Sequence, residues 1–233
     1  MSIATYAERR GRLKTYFDAT AVEAWAQLTS DAPVSRIRAT VRQGRDRMRA
    51  MFMDWLPHDM AGSALLDAGC GTGALAVATA RRGAHVTAVD IAANLINLAH
   101  ERAPKDLAPG KIDFRVGDML AADLGDFDHV AAMDSLIHYP TREIVSVLAG
   151  IGQRTRRSIV FTFAPRTPAL TLMHAAGRLF PRADRAPAIE PVTEARLRRA
   201  IAADPALSPW TVGRTARIVN GFYTSQAMEL VRR

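Results

Sequence analysis

The chain has 233 residues, 48% of them hydrophobic and 23% charged, which suits one α/β domain with additions and excludes disorder over most of its length. No apolar run approaches the roughly 18 residues that span a bilayer, the start has no apolar core of signal-peptide type, and the single cysteine, Cys70, excludes an intrachain disulfide; a cytoplasmic location is the expectation. The net charge of +8, carried mostly by arginine, leaves two readings open: a solvated basic surface, or a face for nucleic acid, an acidic membrane or a polyanionic small molecule.

In chain order, residues 7–28 read as a helix with Leu13, Tyr16, Phe17 and Leu28 as apolar points and Trp25 near its end, broken by residues 29–33. Residues 35–56 form a clearer amphipathic helix, with Ile37, Val41, Met48, Phe52 and Trp55 at helical spacing, a stripe of Arg38, Arg42, Arg45 and Arg49 beside them, and Pro57 as the stop. Strands then alternate with helices: strands at 64–68, 84–89, 111–116, 127–133 and 158–164, helices at 73–82, 92–102 and 141–151. Such alternation implies a mostly parallel sheet with helices on both faces and ligands at the carboxyl ends of the strands. After the fifth strand an apolar helix at 168–180 and a proline-bearing loop are expected, then a basic helix at 193–203. Two last strands, 210–219 and 222–231, meet at Asn220-Gly221, a hairpin signal, which brings the sheet to seven strands with a terminal antiparallel pair. The division expected is an N-terminal helical arm over 1–60 and a core over 61–233, with a cap insertion at about 165–192.

The most informative stretch is Leu65-Leu66-Asp67-Ala68-Gly69-Cys70-Gly71-Thr72-Gly73, a buried strand running into a glycine turn that opens a helix. Asp90 closes the next apolar run, where an acid accepts hydrogen bonds from both hydroxyls of a ribose. The Gly-x-Gly-x-Gly spacing headed by an acid resembles motif I of the S-adenosylmethionine-dependent methyltransferases, and with it comes the expectation of a Rossmann-like class I methyltransferase fold. In that superfamily an acid after the third strand bonds the adenine amino group while its neighbour packs on the ring; Asp118 and Met119 fit those roles. Asp67, Gly69, Cys70, Gly71, Gly73, Asp90, Ile91 and Asp134 complete the expected cofactor site. Cys70 has no base partner marked in the sequence and reads as a small packed residue rather than a nucleophile. The fourth strand ends in Asp134-Ser135-Leu136-Ile137-His138-Tyr139-Pro140, facing the methyl group, with His138 and Tyr139 as the catalytic candidates. The other histidines lack metal-ligand spacing, so no protein-bound metal is expected.

Nearly end to end, the chain resembles the magnesium-protoporphyrin IX methyltransferases of chlorophyll and bacteriochlorophyll synthesis. The resemblance rests on Tyr16-Phe17-Asp18-Ala19-Thr20, on Arg36 to Gly44, on the glycine motif, on Leu136-Ile137-His138-Tyr139-Pro140 and on Phe163-Ala164-Pro165-Arg166-Thr167. It implies methyl transfer from S-adenosylmethionine to a propionate carboxylate of magnesium-protoporphyrin IX, the magnesium belonging to the substrate. It also implies substrate contacts from His138, Arg166, Thr167 and Met173, and from Arg38 and Arg42 a reach to the cofactor carboxylate or a propionate; Arg45 and Arg49 are read as a solvated face or a contact for an acidic partner or membrane. Chlorophyll-branch relatives carry a tyrosine where this chain has Thr29, so a role of that tyrosine is not carried over. The expected partner is the porphyrin-binding subunit of magnesium chelatase, with peripheral contact at the photosynthetic membrane and no nucleic acid.

A carboxylic acid of pKa about 4 is already ionised at neutral pH, so the expected chemistry needs alignment and exclusion of water rather than a strong base. His138 then acts as an orienting hydrogen-bond donor. Three alternatives compete. A quinone-pathway enzyme methylating a phenol of pKa near 10 needs a base or metal. A nucleic-acid methyltransferase would use a base-flipping Asn/Asp-Pro-Pro-Tyr motif, which the fourth strand lacks. A non-catalytic cofactor-binding protein is the third.

Overall fold

The computed structural model describes residues 5–20, 35–166 and 189–233. A seven-stranded sheet runs in the order β3-β2-β1-β4-β5-β7-β6. Its strands are β1 (Ala64–Ala68), β2 (His85–Asp90), β3 (Lys111–Val116), β4 (Phe127–Ala132), β5 (Thr155–Phe163), β6 (Trp210–Asn220) and β7 (Tyr223–Arg232). β1 to β5 are parallel; β7 lies antiparallel to both β5 and β6. The helices are α1 (Tyr6–Thr15), α2 (Arg36–Trp55), α3 (Ala74–Ala80), α4 (Ala93–Arg102), α5 (Thr141–Gly152) and α6 (Glu194–Ala203). The mostly parallel α/β architecture with its antiparallel end follows the expectation. Strand order reverses beside β1, which pairs with β2 on one side and β4 on the other. A crevice opens at the carboxyl ends of strands that diverge in this way.

The strand alternation sorts the core into two layers. Leu66, Val130, Ile159 and Phe161 face α5 and α6, while Leu65, Ala131 and Val160 face α2 and α3. The second layer makes α2 part of the core: Met48 and Phe52 are fully buried. Its bounds follow from its chemistry. Ser35 caps its start by accepting the Arg38 N–H at 3.4 Å. At its end the Arg82 guanidinium donates to the carbonyls of Met53, Leu56 and Pro57. Of the arm's described helices, then, α1 is the one laid across the carboxyl ends of the strands, against Asp118, Glu143 and His138. α1 begins with a capping box between Thr5 and Glu8 and passes into a wider helical turn at Tyr16–Thr20. The rest of the helix expected over 7–28, with Trp25 and Leu28, and Thr29 after it lie outside the described residues.

Two details differ from the sequence reading. β5 begins earlier, at Thr155, because Phe127 of β4 pairs with it there. The hairpin register is shifted: Asn220 pairs with Tyr223, so the two-residue turn is Gly221-Phe222 and not Asn220-Gly221. Gly221 supplies the positive φ of 57° that the tight turn demands. The Asn220 side chain is spent on α2 instead, donating to Thr40 O at 2.7 Å and Gln43 Oε1 at 3.0 Å. Most of the expected cap, with the helix at 168–180, lies outside the described residues; its two ends meet, since Val192 N donates to Ala164 O and Arg166 N to Val192 O.

His129, at the start of β4, is 4% exposed and pairs through Nδ1 with Ser158 Oγ at 2.7 Å. Its Nε2 is buried without a hydrogen-bond partner among the described residues. Burial, and next the nearby Arg157, lower its pKa from the usual 6.5, so the ring is neutral when folded. A depressed folded pKa contributes stability that is complete above the unfolded value and is lost as pH falls below about 6.5. The urea midpoint is therefore expected to drop on acidification through this range, and to drop less in His129→Asn. An equal acid loss in both proteins would dissociate His129 from the effect.

Candidate active site

The glycine turn after β1 is held from β2. Gly69 N and Cys70 N both donate to Val89 O, and Gly71 N donates to Asp90 Oδ2 at 2.9 Å. Ala92 N donates to Asp90 Oδ1, also at 2.9 Å. Asp90 thus shapes the turn as well as facing the cleft. Burial pushes its carboxyl up, and the N–H groups of Ala92, Gly71 and Ile91 oppose the shift. Gly69 has φ of 81° and a Cβ there would meet Ser135 Cβ at 2.4 Å, so no other residue fits. Asp67 lies behind the turn, 1% exposed. Burial first, then the Asp90 charge, push its carboxyl up to about 7 against a single backbone N–H, that of Ala76. Burial and the same two aspartates raise the Cys70 thiol well above its ordinary range, which fits a packed thiol and not a nucleophile.

Beside this turn stands the tip of β4. Met133 and Asp134 lead into Ser135 and the single helical turn Leu136–His138. Asp134 has φ of 58°, a conformation that costs about 1–3 kcal/mol for a residue other than glycine. Its carboxylate accepts from Tyr223 and Ser225 and pairs with Arg45 Nε at 3.6 Å. His138 is 8% exposed; its ring meets the edge of Phe17 at 6.1 Å, and its carbonyl accepts from Arg9 Nη1 at 3.4 Å. Tyr139 stacks on Tyr6 at 5.5 Å, and burial raises its phenol, which stays neutral.

α1 supplies the outer wall. Arg9 bridges Glu143 at 3.1 Å and Glu190 at 3.0 Å, joining α1 to α5 and to the chain returning from the cap. Asp118 accepts from Tyr6 Oη at 2.8 Å, from Leu120 N at 3.0 Å and from the Arg10 guanidinium. These walls line a cleft that is partly open to solvent.

The structure gathers Gly69, Gly71, Asp90, Ile91, Met119, Asp134, His138 and Tyr139 around this cleft. Asp67, Cys70 and Gly73 support it from behind, and Asp118 stands at its edge in contact with α1. Arg166 is exposed at the neck of the insertion, and Thr167 and Met173 lie outside the described residues. The arginine stripe needs a correction. Arg45, read as surface, lines the cleft, whereas Arg38 is exposed and Arg42 half-buried nearer the start of α2. The reason is the rise of the helix: its middle, at Gly44 and Arg45, passes Tyr223 and the β4 tip, while its start lies against the hairpin turn. Sequence reasoning also missed Tyr6, Leu13, Phe17, Leu95 and Ser135 as lining residues. Leu13 and Phe17 were marked as one apolar face; that this face covers the cleft is a matter of where α1 docks.

Two buried polar atoms at the glycine turn, Asp67 Oδ2 and Ser135 Oγ, have no hydrogen-bond partner among the described residues. An acceptor on an acid, a hydroxyl, and Asp90 with lone pairs to spare suit a cationic, hydroxyl-bearing nucleoside. No cluster of acidic, histidine or cysteine side chains that could hold a metal ion occurs among the described residues. The fold and this site define a class I S-adenosylmethionine-dependent methyltransferase, and residues 65–157 match a family model described as a methyltransferase domain. Residues 132–232 match the model of the magnesium-protoporphyrin IX methyltransferase C-terminus. The chain is 48% identical to magnesium-protoporphyrin O-methyltransferase of Rhodobacter capsulatus over 96% of its own length and 97% of the relative's. It is 31% identical to the Synechocystis magnesium-protoporphyrin O-methyltransferase over 94% and 95% of the two chains. The crystal structure of magnesium protoporphyrin IX methyltransferase from Synechocystis PCC 6803 with bound SAH superposes with a TM-score of 0.83 at 29% identity, covering 97% of this chain and 100% of that one. The chain belongs to the magnesium-protoporphyrin IX methyltransferase family.

Two outcomes are expected for the cofactor. Asp90→Ala removes a charged acceptor, a loss worth about 1.5–3 kcal/mol, and should weaken S-adenosylhomocysteine binding at least tenfold by calorimetry. Unchanged affinity in the folded variant would place the nucleoside elsewhere. Asp67, with a carboxyl pushed up to about 7, is protonated on the acid side of that value. Affinity for the cationic S-adenosylmethionine should therefore rise with pH through about 7 and lose that dependence in Asp67→Asn.

Proposed function

We propose that the chain transfers the methyl group of S-adenosylmethionine to one propionate carboxylate of magnesium-protoporphyrin IX, giving the monomethyl ester and S-adenosylhomocysteine. The observation that carries this reading is the placement of His138 on the β4 tip, in one cleft with the glycine turn and Asp90. The end-to-end match to porphyrin methyltransferases supports the substrate. When bound, the cofactor supplies an electrophilic sulfonium methyl. Asp67, Gly69, Cys70, Gly71, Gly73, Asp90 and Ile91 would hold its amino-acid and ribose parts, with Met119 and Asp118 at its base.

The acceptor carboxylate arrives ionised, so the protein's work is to strip its water and aim one oxygen. The His138 ring, in a buried position against Phe17, is suited to donate a hydrogen bond that does so. The same cleft is rich in aspartates, which repel a propionate. Arg45 is the cation that offsets them there, taking the anion-holding part expected of Arg38 and Arg42. Arg166 at the insertion neck would meet the second propionate at the rim, and the substrate contacts of Thr167 and Met173 rest on the family resemblance. α1, held by Arg9 and by Tyr6 and Arg10 on Asp118, has the position of a cover that excludes water. Hand-over from the porphyrin-binding subunit of magnesium chelatase and peripheral contact with the photosynthetic membrane belong to the same reading. Exposed Ile37, Val219 and Phe222 near Arg36 and Arg38 are the surface on which to test them. No helix among the described residues is long and apolar enough to cross a membrane.

The reading is tested by incubating the purified chain with S-adenosylmethionine and magnesium-protoporphyrin IX and following the monomethyl ester chromatographically. Absence of ester, with methylation of a quinone-pathway phenol, would sink it. Within the reaction, His138→Ala should lower kcat about 100-fold through lost alignment while leaving cofactor affinity nearly intact. His138→Gln should recover part of the rate, because its amide still donates. Glutamine as inactive as alanine, with an essential group near pH 6.5 in the rate profile, would make His138 a general base instead.

A further inference from the structure

Asp134 is the only residue other than glycine with a positive φ among the described residues. That angle sets the direction of the chain beyond it. The backbone passes on to Ser135, packed where Gly69 leaves no room for a side chain, and then into the turn that carries His138. The position of His138 relative to the glycine turn is therefore set at Asp134.

One carboxylate holds that angle. Its Oδ1 accepts from Tyr223 Oη at 3.0 Å, from Ser225 Oγ at 3.1 Å and from Thr162 Oγ1 at 3.4 Å. Its Oδ2 accepts from Tyr223 Oη at 3.2 Å and pairs with Arg45. The Asp134 N–H donates to Thr162 Oγ1 at 2.7 Å, closing the cage. Tyr223 and Ser225 stand two apart on β7, so both point to one face, and the antiparallel direction of β7 brings its start to the carboxyl end of the sheet. The Tyr223 ring is itself fixed: a Cβ on Gly44 of α2 would lie 2.5 Å from Tyr223 Cδ1. Burial drives the phenol far above its ordinary range, so it stays a donor. Neither Tyr223 nor Ser225 lines the cleft.

We propose that Tyr223 and Ser225 are positioning residues for methyl transfer, holding Asp134 in its left-handed conformation and, through it, His138, without touching either substrate. The proposal rests on the reaction stated above. A hydrogen bond to a charged group is worth about 10- to 100-fold. Tyr223→Phe keeps the ring on Gly44 and removes only the donor.

The test measures kcat, KM and S-adenosylhomocysteine affinity for Tyr223→Phe and Ser225→Ala, together with the NMR signals of the His138 ring. The expected result is a fall in kcat of about tenfold or more for Tyr223→Phe, a smaller fall for Ser225→Ala, little change in cofactor affinity, and displaced His138 signals in both. Asp134→Gly adopts the positive φ without an anchor, so adding Tyr223→Phe to it should cost nothing further. Full kcat with unmoved His138 signals, or costs that multiply in the Asp134→Gly background, would overturn the proposal. If Tyr223→Phe does not fold, Ser225→Ala carries the same readouts. If the unmodified chain esterifies no porphyrin, the reaction assignment fails, while the His138 signals still decide whether β7 positions this ring.

Discussion

Four carboxylates stand at the carboxyl ends of the parallel strands, and the surrounding structure depends on how each is matched. Burying a charge is costly unless donors replace its water. Asp90 is matched by the backbone of the glycine turn and of the start of α4. Asp118 is matched by Tyr6 and Arg10, which draws α1 across the cleft. Asp134 is matched by β7 and by Arg45, which ties the antiparallel end of the sheet and α2 to the β4 tip. Asp67 has the least compensation, and its carboxyl is correspondingly pushed up to about 7. Each match recruits a different part of the chain, so the electrostatics of the strand ends and the closure of the cleft are one problem.

That arrangement divides the cleft by charge. An acidic floor under the glycine turn suits a sulfonium donor and an ammonium group. A carboxylate acceptor is repelled by the same floor, and Arg45 and His138 are both among the residues that line the cleft. A phenol acceptor would need a base to ionise it. The Cys70 thiol and the Tyr139 phenol, both pushed to higher pKa by burial, are poor candidates, and His138 is the group whose role as a base the rate profile decides. An acceptor that arrives ionised removes that requirement, and geometry becomes the main demand on the protein.

The strands and most helices were legible because local pattern and tertiary role agree. β1 is apolar on both faces since helices cover both, and α2 shows its apolar stripe and ends before Pro57 as read. The glycine turn was legible because its positive φ values admit few residues. The hairpin was read one residue out of register. Asn220-Gly221 satisfies a turn in isolation, but Asn220 gains two hydrogen bonds from α2 by standing outside it. The π-helical turn at Tyr16–Thr20 carried no sequence signal of its own.

The sequence by itself determined the alternation, the cofactor turn with its acid, and the family, because each is written in residues near one another along the chain. It could place His138 at a strand tip for the same reason. Which arginine enters the cleft was decided only by tertiary structure, since Arg38, Arg42 and Arg45 look alike on a helical wheel and differ only in how far along α2 they lie from β4. The partners of Asp134 were decided there too. Tyr223 and Ser225 lie 89 and 91 positions beyond it, and nothing local joins them. They meet because β7 enters the sheet antiparallel beside β5, which puts the start of the last strand at the end where the parallel strands finish.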